Sequence, residues 1–182
     1  MTIDYRIFEI RIADYFVAKN LRRWREQEIA QSPSYEIIQN NVFDMEKCLK
    51  KFKQHYAEIY TDKDLKFLEH DGKLIFLTYL KPLINGRGFY HFEPQTRDHG
   101  RIDLVVDFLK QQFIIEMKLW YGDKRHEEAY DQLAGYLKSK NKDCGYLLTF
   151  DFRKTRDNRF AESQWIDWED KRIFDVVLRV GS

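Results

Sequence analysis

The chain has 182 residues, 43% hydrophobic and 16% aromatic, which is enough apolar material for one core and too much for a disordered chain. Lys and Arg number 31 against 30 Asp and Glu, a formal net charge of +1; that excludes a protein that coats nucleic acid by bulk charge and leaves such contacts to local basic patches. Cys48 and Cys144 stand in no metal-ligand spacing, the first residues carry no apolar signal-peptide core, and no apolar run is long enough to cross a bilayer, so reduced thiols and a cytoplasmic location are expected.

In chain order, residues 1–60 read as a helical N-terminal extension and 61–182 as the main domain. Ile7, Phe8, Ile10, Ile12 and Tyr15 recur at helical spacing through Ala18, and a basic run of Arg22, Arg23 and Arg25 follows. Ser32-Pro33-Ser34 marks a break. Asp44 is placed to cap a second helix whose Leu49, Phe52, Tyr56 and Ile59 form one apolar stripe, with Lys47, Lys50, Lys51 and Lys53 on the other face. A third helix is expected from about Thr61 toward Leu83, burying Leu65, Leu68, Ile75, Phe76, Tyr79 and Leu80. Gly72 is its weak point, and Pro82 with Asn85-Gly86-Arg87-Gly88 stops it.

After Gly88 the pattern changes to strands. Residues 89–93 alternate aromatic and polar positions. Strands over 101–107 and 113–119, joined by a short turn near Lys110, form the pattern of a hairpin. Asp123 to Ser139 returns to helical spacing, with Ala129, Leu133, Tyr136 and Leu137 on one side. Strands follow over 145–151 and 172–180, separated by a charged loop. A strand–helix–strand passage from 113 to 150 suits a parallel crossover, while 101–119 suits an antiparallel pair. The expected fold is α/β or α+β: a mixed β-sheet flanked by helices.

Asp103, Glu116 and Lys118 are charged residues in otherwise apolar strands. Side chains alternate faces along a strand, so Glu116 and Lys118 point the same way, about 7 Å apart at ~3.4 Å per residue. A hairpin lets Asp103 join them. Two carboxylates beside an ammonium suit a hard cation such as Mg²⁺ and the activation of water next to a phosphate. A Glu-x-Lys pair by itself reads as a solvated surface pair worth ~0–1 kcal/mol. Here Ile114, Ile115, Met117 and Leu119 leave neither face of the strand polar, as in a sheet covered on both sides.

Other candidates carry less. Glu69 lies in a helix leading into the sheet and is as well explained as a surface acid. His91, His99 and His126 have no ligand spacing and read as surface or packing residues. Gln132 and Tyr136 share a helix face. Trp120 and Tyr121 are suited to stack on a base, although core packing explains them better. There is no Gly-x4-Gly-Lys-Ser/Thr loop for a nucleotide triphosphate.

Asp103, twelve intervening residues and Glu116-Met117-Lys118 resemble the Asp…Glu-x-Lys core of the PD-(D/E)XK nuclease superfamily. Gln132-Leu133-Ala134-Gly135-Tyr136 resembles the Gln-x3-Tyr motif of its RecB-like branch. Phe67-Leu68-Glu69, the 80–88 and 92–96 segments, 115–120 and 132–136 are similar to the C-terminal nuclease-like region of bacterial AAA-ATPase-like proteins. The likeness covers about residues 62–151, and the helical part before it matches the linker region of those proteins more loosely. Ile102 stands where the motif name has proline. The resemblance implies a restriction-endonuclease-like sheet. Asp103 and Glu116 would be ligands of Mg²⁺ or Mn²⁺, Lys118 the catalytic lysine and Glu69 a further acid. Gln132 and Tyr136 would shape the site or contact substrate. It implies a nuclease that hydrolyses DNA phosphodiesters, with a homodimer and an ATPase among its expected assemblies. The alternative is a nuclease-like module that binds nucleic acid or a partner protein and cuts poorly or not at all.

Overall fold

The computed structural model describes residues 34–59, 69–92, 104–153 and 162–179. The helix expected over 7–18 and the basic run after it lie outside these residues. The described chain opens with a single helical turn, α1 (Ser34–Ile37), and a miniature antiparallel hairpin of β1 (Ile38–Gln39) and β2 (Val42–Phe43). Asn40 and Asn41 make its turn with φ of 52° and 64°, a left-handed pair that asparagine tolerates better than most residues. Over residues 38–43 this hairpin stands where the helical reading has no strand, because two-residue strands carry no measurable period. The hairpin is docked rather than free: Phe43 N donates to Gln111 Oε1 at 2.7 Å, and Gln111 Nε2 donates back to Phe43 O at 3.2 Å.

Helix α2 (Met45–Ile59) starts where expected, with Lys47 N donating to the Asp44 carboxylate at 2.9 Å. Its Leu49, Phe52 and Tyr56 are buried, each contributing about 1.5–3 kcal/mol of apolar transfer. Helix α3 (Glu69–Ile84) runs two residues past Pro82 before the turn at 85–87 ends it. It buries Phe76, Leu77, Tyr79, Leu80 and Ile84. Gly72 is the point of closest approach: a Cβ there would lie 2.7 Å from the Phe150 ring.

The remaining elements are β3 (Gly88–His91), β4 (Leu104–Phe108), β5 (Gln111–Leu119), α4 (Asp123–Ser139), β6 (Cys144–Asp151), β7 (Gln164–Trp168) and β8 (Lys171–Arg179). They form a six-stranded mixed sheet in the order β3-β4-β5-β6-β8-β7. Strands β3, β4 and β5 are an antiparallel meander. Strand β6 runs parallel to β5 after the α4 crossover, and β8 runs parallel to β6. The sequence reading lacked β7, which pairs antiparallel with β8 through a turn in which Glu169 has φ 51°. Its Trp165, Ile166 and Trp168 are half-buried on both sides of the strand, so the alternation that marks a strand is missing.

Alternate residues divide the sheet into two faces. Phe113, Ile115 and Met117 of β5 join Leu148, Phe150 and Phe174 under α2 and α3. Ile114 joins Leu147, Ile173 and Val105 under Ala129, Leu133, Tyr136 and Leu137 of α4. Helix α2 thus belongs to the same core as the sheet. The fold is a mixed α/β layer structure, with helices covering both faces.

Candidate active site

Strands β5, β6 and β8 share one direction, so their carboxyl ends gather at one edge of the molecule. The N-terminus of α4 returns to that edge over Gly122, whose φ of 104° suits a residue without a Cβ. Polar side chains cluster there. The alternation that sends Ile115 and Met117 to the α2/α3 face sends Glu116 and Lys118 to the α4 face, against Leu147 and Thr149 of β6. Glu116 is fully buried, and Lys118 Nζ lies 2.6 Å from its Oε1, with the lysine side chain 30% exposed. The expected same-face pair is therefore present, in contact and desolvated at its acidic end.

The other expected site residues are distributed as follows. Asp103 lies outside the described residues; it immediately precedes Leu104, which pairs with Ile115, the neighbour of Glu116. Glu69 is the first residue of α3, on the layer opposite Glu116, and only its backbone is described. Gln132 is half-buried on α4. Lys118 and Gln132 both line a hollow of about 230 Å³ between the end of β5 and the first turns of α4, with Trp120, Tyr121, Arg125, His126 and Glu128. Tyr136, one turn beyond Gln132, is buried among the α4 core residues, with Lys140 Nζ 5.4 Å from its ring centre. Of the remaining histidines considered, His91 is exposed near Asp107 and His99 lies outside the described residues.

A second polar group was not foreseen. His126 of α4 is buried, and its Nε2 lies 3.0 Å from Asp175 Oδ2 of β8. Tyr130 donates its hydroxyl to the same oxygen at 2.8 Å, and Thr149 Oγ1 lies 3.5 Å from His126 Nδ1. Burial, and then the charge of Asp175, push the Tyr130 phenol well above its ordinary range, so it stays protonated and donates. The His126 ring also meets Trp120 at 4.8 Å. Arg153 covers Trp120 at 4.4 Å and is itself held by two bonds of 2.9 Å to Asp151. His126 and Asp175 are 49 residues apart; the packing of α4 over β6 and its neighbour β8 brings them together.

A carboxylate oxygen of Glu116 suits Mg²⁺ or Mn²⁺ in donor type. Among the described residues, no group of three or more His, Cys, Asp or Glu side chains converges to hold an ion. The described site therefore fits such an ion in kind, and supplies one carboxylate of the several oxygens it takes. No helix among the described residues is long and apolar enough to cross a membrane. Compared with known proteins, the chain matches no family model, no curated protein and no solved structure.

Proposed function

We propose that the chain is a Mg²⁺- or Mn²⁺-dependent nuclease hydrolysing phosphodiester bonds of DNA, acting in the cytoplasm. The observation that carries this reading is a fully buried glutamate in contact with a lysine at the carboxyl edge of three parallel strands. Burying a carboxylate is costly, and a hydrophobic pair would serve the fold as well or better. The charged residues in this position therefore call for a chemical reason.

Glu116 and Asp103 would hold the cation; Glu69, which opens a helix on the other layer of the sheet, is not assigned to it. The bound cation would supply Lewis acidity toward a phosphate oxygen and lower the pKa of a nearby water. Lys118, already at the site and part-exposed, would offset charge that grows on the phosphate oxygens. Gln132, beside Lys118 in the same hollow, would orient the substrate, and the buried Tyr136 would fix the helix that carries Gln132. The N-terminal end of α4 favours an anionic backbone at this edge. A homodimer able to cut both strands, and an AAA-type ATPase partner, belong to the same reading.

The test is metal-dependent cleavage of single- and double-stranded DNA by the wild type and by Lys118→Ala. The proposal expects cleavage that needs Mg²⁺ or Mn²⁺ and is lost in the variant; undiminished cleavage in the variant rules the mechanism out. The near-neutral net charge of +1, weak for a protein that must hold DNA unaided, favours a second reading: a module that binds nucleic acid or a partner protein and cuts poorly or not at all. Calorimetry separates the two, since metal binding that Asp103→Ala abolishes argues against the second.

A further inference from the structure

The hollow beside Lys118 has a composition that the cleavage chemistry does not require. Its floor is fixed: Trp120 is buried and in contact with both the His126 ring and the Arg153 guanidinium. Its rim is open, because Tyr121 is 68% exposed and Arg125 is exposed on the first turn of α4. Tyr121 thus presents most of its ring to solvent at the mouth of the hollow, next to a fixed aromatic floor. At about 230 Å³, the hollow is below the roughly 300–1,000 Å³ of sites for drug-sized ligands. The lining holds two cations, Lys118 and Arg125, and one carboxylate, Glu128. That balance suits a single phosphate and disfavours a triphosphate.

We infer that this hollow seats one nucleotide of a single-stranded DNA segment, with the base stacked on Tyr121 and its phosphate held by Arg125 next to Lys118. Every base has a π-face that an aromatic ring accepts, so the seat is tolerant of sequence. The planar guanidinium of Arg125 provides paired donors for phosphate oxygens. Chain order supports the arrangement. Tyr121 lies three residues after Lys118 and four before Arg125, so the stacking ring, the phosphate clamp and the lysine lie on one continuous turn from β5 into α4. The seat would hold the nucleotide flanking the bond to be cut, and to that extent the inference rests on the nuclease reading.

Binding is measured apart from cleavage. A 5′-phosphorylated tetrathymidylate is titrated into the full chain in EDTA, with tryptophan fluorescence as the readout because Trp120 lines the hollow. Thymidine, inorganic phosphate and a nucleoside triphosphate serve as competitors. The expected result is saturable binding of the oligonucleotide, weakened about 5- to 150-fold by Tyr121→Ala, the range for loss of a stacking ring. Arg125→Ala should weaken it similarly, while Tyr121→Phe stays within twofold of wild type. The triphosphate should compete no better than the monophosphorylated oligonucleotide. Absence of binding, or variants that bind as tightly as wild type, overturns the inference. Binding that depends on both residues without any cleavage would sink the nuclease reading and leave the seat standing. Cleavage with KM unchanged in both variants would do the reverse.

Discussion

Replacing Lys118 by methionine removes an ammonium while keeping most of the side chain's apolar length. The consequence follows from the geometry of its partner. Glu116 is fully buried and its Oε1 is 2.6 Å from Nζ. At an effective dielectric constant of about 20, the Coulomb attraction at that distance is ~6 kcal/mol. Water reaches the lysine end, which is 30% exposed, so part of this is screened. Breaking a buried ion pair by deleting one partner costs about 3–5 kcal/mol, and the partial exposure places the expected loss near the lower figure, ~3 kcal/mol. At ~1–3 kcal/mol per molar urea, the unfolding midpoint should fall by roughly 1–3 M. The double variant Glu116→Gln/Lys118→Met should recover much of the loss, because a neutral amide needs no counter-charge. Urea titrations of wild type, both single variants and the double variant at pH 7 supply the cycle. A Lys118→Met variant within 1 kcal/mol of wild type, or a double variant no more stable than it, would mean that the pair behaves as a solvated surface contact.

Asp175→Ala should lower stability by about 2–4 kcal/mol, since His126 and Tyr130 lose a shared buried acceptor; thermal unfolding with an unchanged midpoint would contradict the assigned contacts. Gly72→Ala gains up to ~1 kcal/mol of helix propensity, but its Cβ would meet the Phe150 ring at 2.7 Å, and overpacking costs about 1–3 kcal/mol. A net decrease in melting temperature is expected, and an increase would show that α3 does not pack as described. Burial holds the His55 imidazole below its ordinary pKa. The unfolded chain therefore takes up the proton first as pH falls through about 6.5. This contribution is intact above that value and is lost below it, so His55→Gln should flatten the decline in stability between roughly pH 7 and 5. An unchanged slope in denaturation curves across that window would remove His55 as the cause.

Much of this architecture could be read from periodicity, because long elements state their own faces. The Ala129, Leu133, Tyr136 and Leu137 stripe gave α4 its bounds and its buried side. The double-sided apolar character of 113–119 indicated a strand covered on both faces, which it is. Asp44 signalled the start of α2 through a local hydrogen bond that depends on nothing distant. The elements missed are those without a period. The β1–β2 hairpin had one clue, the Asn40-Asn41 pair, and β7 had only the Glu169-Asp170 turn before a clear strand. In the site, Glu116 and Lys118 were legible because two residues on one strand share a face by geometry alone. The His126–Asp175–Tyr130 group was not, because it depends on the order in which β6 and β8 pair. The likeness of Trp120 and Tyr121 in sequence also concealed opposite fates, one buried under Arg153 and the other open to solvent.

The most direct measurement is the anomalous electron density of a crystal soaked in Mn²⁺. The account predicts one strong peak coordinated by the carboxylates of Glu116 and Asp103, with the Lys118 ammonium beside it. Saturating Mn²⁺ with no peak at Glu116, or an Asp103 carboxylate on the opposite face of the sheet, would contradict it.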